Sequence, residues 1–492
     1  MRCLFAQFAC LAALLAVSAR ARGQEQPAAE AAPVETINLS VAPAAEPRPA
    51  LKYRLTPAPP ERQPGNAAIF YYRALLAIKS LPADHWKEFD EKSAAWLAGP
   101  QGGIPKEEAR KLIGPMPMFA ELKKAVYREH CDWDLRVQDL RGLDTIYLIL
   151  DDAQQCRYLS RKLQLKARLE TSEGNYDEAL ETLRMGYQLG QDVAQTRLLI
   201  NGLIGVAITA QMNGELARLI EASDANYYWA LAALPEPVIS MRPAIEYEMN
   251  LPQQIFPFLK DPETTERAPE EWQRLIVDCL QKLPDLGGGN VHREPAWAMQ
   301  LLAAAAMAKL YPAAKEKLLA SGMPRDRIEA MPVGQVVAIH TARAQRYVYD
   351  EVGKLFYLPA HEALRRDGAI IKHLQGQGFM QPGIKGDEGL PIASLMLPAV
   401  SNVKLASIRL DRERAALMAI EALRMHAAAT GKLPMALAEV TVVPVPPNPM
   451  SGQPFAYRLD AATGAATLDL PAPPGYERLQ GHAKRYVIRL KK

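Results

Sequence analysis

The chain has 492 residues, 49% of them apolar and 23% charged, with a formal net charge of +3. That length accommodates two or three domains or one extended helical array, and the composition is that of an ordinary globular protein rather than a low-complexity one. A near-neutral chain carries no electrostatic footprint for nucleic acid, so nucleic-acid binding is excluded as a leading function.

The first sixty-five residues set the expected address. Met1–Ala21 reads as a Sec-type signal peptide: Arg2 gives the positive start, Leu4 to Val17 is apolar apart from Gln7, and Ala19-Arg20-Ala21 fits small-x-small cleavage. Residues 22–65 then hold nine Pro, nine Ala and a single aromatic, Tyr53. Such a segment buries too little apolar surface to offset its ordering entropy, which predicts a disordered, extended, Pro-stiffened linker. The protein is therefore expected to be periplasmic or secreted. The most apolar later stretches, Leu198–Met212 and Ala296–Leu310, fall short of the ~20 residues a spanning helix needs. No transmembrane helix is expected once the signal is cleaved.

From Asn66 to Thr430 the dominant period is helical. Asn66, after Pro64-Gly65, is placed to cap a helix carrying Phe70 and Leu75, and Asp84 to cap a second with Trp86 and Phe89. Pro105 opens a third, with Glu107 and Glu108 at the positive end of its dipole. Further helices are predicted over 151–171, 176–189, 194–221, 270–283, 295–320, 334–356 and 399–430, with Pro312 a candidate break inside the fifth of these. Gly287-Gly288-Gly289-Asn290 and Pro382-Gly383 read as connections. After Gly431 the pattern changes. Phe455, Tyr457 and Leu459 alternate with polar or small residues, Ala461–Gly464 reads as a hairpin turn, and Thr467–Leu470 and Tyr486–Leu490 read as further strands. The expectation is a mostly α, multi-helix body over 66–430. A small antiparallel β module of about three strands follows over 431–492.

Two local patterns resemble known families. Gly174-Asn175-Tyr176-Asp177-Glu178-Ala179-Leu180, with Leu183 and Gly186, resembles the turn and second helix of a tetratricopeptide unit. Gly174 permits the tight turn, and Ala179 and Gly186 permit close helix contact. An antiparallel helix hairpin of independent origin carries the same turn chemistry, and both readings stand. Residues 415–470, with Gly431-Lys432-Leu433-Pro434 and Asn448-Pro449-Met450-Ser451-Gly452, are similar to the globular half of type II secretion pseudopilins. The long leading apolar helix of that family is not in front of this motif, so the resemblance implies a shared fold module rather than filament assembly. As a whole the chain resembles large exported bacterial helical proteins with no assigned activity.

Chemistry-bearing clusters are few. His130, Asp132 and Asp134 would share one face of an extended segment and offer a nitrogen and two carboxylates, but no distant His or Cys is tied to them by spacing. No metal site and no cofactor are expected. Cys131, Cys156 and Cys279 remain after signal cleavage, and Cys131 and Cys156 can pair only if their elements lie side by side. Arg242, Glu246 and Glu248 carry paired carboxylates, although positions two apart on a helix do not face each other and Arg242–Glu246 is an ordinary four-residue helix pair. Tyr227, Tyr228 and Trp229 lie just upstream, and with Tyr176 and Tyr187 complete the candidate binding residues. Catalytic residues stay unassigned. The combination points to a binding or scaffolding protein of the cell envelope with a protein partner. The alternative is a hydrolase whose site joins distant carboxylate and His residues.

Overall fold

The computed structural model describes residues 32–78, 80–98, 104–135, 144–286, 295–377, 379, 389–474, 476–479 and 481–491. The expected signal peptide, the Gly287–Asn290 connection and Pro382-Gly383 lie outside the described residues. Two compact units emerge. One holds Arg242–Leu405, and the other holds Ala28–Leu135, Tyr147–Met241 and Ala406–Lys492. The helical body expected over 66–430 thus belongs to both units, and the C-terminal module belongs with the N-terminal half.

The second unit begins with strand β1 (Glu35–Val41), followed by β2 (Gln63–Asn66), α1 (Ala67–Ile78), α2 (Ala83–Ala98), α3 (Lys106–Ile113), α4 (Met118–Val126) and β3 (Arg128–His130). Asn66 caps α1 as expected, its Oδ1 accepting from Ala68 N at 3.0 Å. Next come α5 (Asp144–Glu173), α6 (Tyr176–Ala194), α7 (Leu199–Ala222) and the short α8 (Tyr228–Ala232). Gly174 joins α5 to α6 at φ +83°, a conformation that side-chain-bearing residues rarely adopt. Small residues then let α6 and α7 approach closely: a Cβ on Gly186 would overlap Met212 Sδ, and one on Gly190 would overlap Thr209 Oγ1. Buried polar contacts tie α5 to α7, where Arg168 Nε meets both Glu215 oxygens at 3.1 and 3.2 Å and Gln164 donates to Glu215 Oε1 at 3.1 Å.

The first unit contains α9 (Arg242–Glu248), α10 (Leu251–Ile255), α11 (Pro269–Leu286), α12 (Ala296–Ala320), α13 (Arg325–Ala330), α14 (Val333–Gly353) and α15 (Ala360–Gly376). Its core gathers Phe256, Phe258, Trp272, Ile276, Met299, Ala303, Leu310 and Val337 from α10 through α14. Burying each large side chain of this set contributes about 1.5–3 kcal/mol relative to exposure. Pro312 does not break α12. It lies exposed, as does Ala308 one turn back. Water can satisfy the carbonyl that loses its partner there.

Helix α16 (Ile392–Thr430) contributes its first part to one unit and the rest to the other. Gly431 ends it at φ +78°, in the expected left-handed cap. Strands β4 (Ala456–Asp460), β5 (Ala465–Leu470) and β6 (Lys484–Leu490) form the expected antiparallel meander.

The sheet has a fourth strand that the sequence reading did not anticipate. Its order is β1-β6-β5-β4, and β1 runs parallel to β6 from Glu35↔Lys484 to Val41↔Leu490. Residues 32–65 are therefore not a disordered linker, which corrects the expectation for that part of 22–65. Leu39 and Val41 are buried, so the segment supplies the apolar side chains that its average composition concealed. A fully buried ion pair locks the segment in place. Arg424 donates to Glu421 at 2.9 and 3.1 Å and to the backbone oxygens of Ala42, Ala225 and Ser223 at 2.9, 2.8 and 2.6 Å. Asn226 adds donations to Glu421 O and Ala44 O at 3.0 and 3.4 Å.

Candidate functional site

The predicted aromatic residues of the second unit are mostly core. Tyr187 and Tyr227 are 0% and 1% exposed. Tyr187 donates to Asn213 Oδ1 at 2.5 Å and Tyr227 to Ser223 Oγ at 3.1 Å. Tyr228 is also buried and donates to Pro444 O at 2.6 Å. Tyr176 is half-buried and closes onto the end of α7, donating to Ala222 O at 3.0 Å. Trp229 Nε1 reaches Glu46 Oε1 at 2.6 Å and so fastens the Pro-rich segment. The surface expected along Tyr176–Tyr187 is thus corrected. α6 is buried along most of its length because it packs between neighbours, and its tyrosines satisfy their hydroxyls inside the unit.

Arg242 and Glu246 behave differently. On α9 they pair at 3.0 Å, and a residue far along the chain joins them. Tyr357 donates its hydroxyl to Glu246 Oε1 at 2.8 Å, while the Arg242 guanidinium lies 4.1 Å from the centroid of its ring. Tyr357 is 55% exposed. The Tyr357 hydroxyl and the Arg242 guanidinium hold the Glu246 carboxyl below the usual carboxylate range. Glu246 raises the Arg242 guanidinium in turn. Asn250 Nδ2 also donates to Glu246 O at 3.0 Å and fixes the end of α9. Glu248 lies two residues on and is half-buried. Pattern reading found the Arg–Glu pair at its four-residue spacing but had no signal for Tyr357.

Two buried groups in the second unit also escaped sequence reading. Asp192 is 2% exposed and accepts from Tyr71 Oη at 2.6 Å, Gln188 Nε2 at 2.8 Å and Gln195 Nε2 at 3.3 Å. Burial pushes its carboxyl up from 3.8 to about 6, against the lowering effect of the Tyr71 and Gln188 donors and the Arg62 charge. Lys162 is 0% exposed. Its Nζ lies 2.9, 4.5 and 4.8 Å from the ring centroids of Tyr158, Phe89 and Trp86. Burial pulls its ammonium down from 10.5 to about 6, only partly opposed by the charge of Asp90.

The segment after His130 is tied into the second unit. β3 ends at His130, Cys131 and Trp133 point into the unit, and Trp133 Nε1 donates to Asp192 O at 2.9 Å. Asn66 accepts from Asp132 N at 2.9 Å and donates to Asp132 O at 2.7 Å. Among the described residues no group of three or more His, Cys, Asp or Glu is placed to hold a metal ion, and no helix is long and apolar enough to cross a membrane. Cys131, Cys156 and Cys279 are buried as thiols, and burial raises those of Cys131 and Cys279. No family model, no curated protein and no solved structure matches this chain.

Proposed function

We propose that this chain is an exported cell-envelope protein that binds or scaffolds a protein partner, and that Arg242, Glu246 and Tyr357 form part of the contact surface. The observation that carries the reading is the exposed yet fixed arrangement of Tyr357 between Arg242 and Glu246. Tyrosine and arginine dominate binding energy at protein interfaces. A ring and a guanidinium already held in place lose little side-chain entropy when a partner covers them. The signal-like Met1–Ala21 supports the address, and the tetratricopeptide-like turn at Gly174 and the pseudopilin-like module support a body made for contacts. For the hydrolase alternative, the Glu246 carboxyl is held low, which does not suit it to act as a general acid at neutral pH.

The test is cross-linking capture from intact cell envelopes with the tagged protein, Tyr357→Ala and Arg242→Ala. One stoichiometric partner, recovered with the parent chain and reduced at least about tenfold by either substitution, supports the reading. Recovery of the protein alone, or of a partner indifferent to both substitutions, contradicts it.

A further inference from the structure

Helix α12 is apolar on both sides over its first half. Its inner side buries Met299, Ala303, Ala306 and Leu310 in the core of the first unit. The outer side carries Trp297, 69% exposed, and Leu301, 65% exposed, while Leu302, 47% exposed, lies at the margin of the inner side. Ala304, Ala305 and Ala308 continue that exposed side. At 100° per residue, positions 297, 301, 304 and 308 form one stripe directly opposite the buried residues. From Ala296 to Ala308 the helix has no charged residue, and Gln300 is its one polar side chain. A surface helix normally has a polar outer face, and one that is apolar all round is normally covered on all sides.

We infer that the outer face of α12 binds the same face of a second copy of this chain. The shape of the stripe argues for that occupant. Its bulky residues, Trp297 and Leu301, come first and its small ones, Ala304 and Ala308, come last. In an antiparallel pair about a two-fold axis midway between Leu301 and Ala304, Trp297 of one copy meets Ala308 of the other and Leu301 meets Ala304. Knobs then face shallow holes twice over, which is the self-complementarity an isologous contact demands. The area is that of a weak contact. Trp297, Leu301 and the exposed alanines make a patch within the roughly 300–600 Å² of the largest apolar patch on a typical monomer, and two such patches facing each other bury at most about 1,000 Å², the range of weak rather than permanent interfaces. A weak, concentration-dependent dimer follows. A bilayer fits less well, because interfacial helices carry a strongly charged polar face rich in Lys and Arg, and Ala296–Ala308 holds no charged residue on any side. The inference concerns α12 alone and stands or falls separately from the partner surface at Tyr357.

Sedimentation velocity of the intact chain, from low-micromolar to hundred-micromolar concentration, tests it. The expected result is a shift from monomer to dimer that Leu301→Lys weakens at least about tenfold. Met435→Lys, which alters an exposed apolar residue of the second unit, leaves the dimer unchanged. Ala308→Lys is the second interface variant should Leu301→Lys alter the far-ultraviolet spectrum. Acrylamide quenching, read as the difference between the parent and Trp297→Phe, follows the face itself and gains protection only as the dimer forms. A monomer throughout the range overturns the inference, as does a dimer indifferent to both lysine substitutions. Protection of Trp297 at the lowest concentration overturns it by placing another segment of the chain on the stripe. Protection of a monomer by phosphatidylglycerol vesicles overturns it in favour of lipid.

Discussion

Two fully buried basic side chains of the second unit keep opposite chemical company. Arg424 faces the Glu421 carboxylate and the carbonyl oxygens of Ala42, Ser223 and Ala225. Lys162 faces the rings of Trp86, Phe89 and Tyr158, with one long contact of 3.5 Å to Tyr158 O. Both lose their water, but only Arg424 recovers hydrogen bonds for it. A planar guanidinium can reach several acceptors at once, which suits it to joining three segments distant in sequence. An ammonium ringed by aromatic faces gains some cation–π attraction but too little to offset its lost hydration, so burial favours its neutral form. The lesson is that a buried charge supports a fold in proportion to the acceptors around it, not to its burial.

The largest expected effect breaks the well-partnered side of that contrast. Arg424→Met takes the guanidinium from the buried Glu421 carboxyl, which keeps the Tyr227 N–H, and strands the three carbonyls. It should cost about 3–5 kcal/mol in urea unfolding of the second unit. A loss below about 1 kcal/mol would mean that the pair is not the clamp described.

Lys162→Met should act in the reverse sense. The folded-state value of about 6 lies below the ordinary 10.5. The unfolded chain therefore binds the extra proton, and stability falls as pH drops from 10.5 through 6. Methionine removes that term and should stabilise the unit on the order of 1–3 kcal/mol at pH 7. Thermal unfolding at pH 7 and pH 9 measures it, and a gain that fails to shrink at pH 9 would contradict the assignment.

Asp192→Asn is the smallest change. The folded Asp192 value, about 6, lies above its ordinary 3.8. Its contribution is present below 3.8 and lost as pH rises through 6. Asparagine keeps one acceptor oxygen for Gln188 and Gln195 and turns an amide donor toward the Tyr71 oxygen, without the charge. It should flatten the stability profile between pH 4 and 6 and add about 1 kcal/mol at pH 8. An unchanged profile would show that Asp192 does not titrate there.

The helical body was legible because apolar side chains recur at helical spacing and because Gly174 and Gly431 punctuate it. The β4–β5 hairpin was legible because its alternation is local and bounded by a turn. Strand β1 was not, for two physical reasons. Ile37, Leu39 and Val41 do alternate with Thr36, Asn38 and Ser40, but the surrounding Pro and Ala residues diluted that signal. The partner strand, β6, lies at the other end of the chain, and no local pattern announces a parallel pairing of that span. The candidate site divides in the same way. Arg242 and Glu246 sit on one short helix, whereas Tyr357 is 111 residues beyond Glu246 and enters only through tertiary packing. Tyr187 and Tyr227 misled for the opposite reason: tyrosine in a helix-rich sequence suits a core and a surface equally well until its hydroxyl partner is known.

Hydrogen exchange at the backbone amides of Glu35–Val41 most directly tests the claim that the Pro- and Ala-rich segment is built into the second unit rather than trailing from it. Protection comparable to that of β6, and lost from β1 in Arg424→Met while β5 retains its own, is the predicted result. Exchange of Glu35–Val41 at the rate of an unstructured peptide in the parent chain would contradict it, and with it the four-stranded sheet.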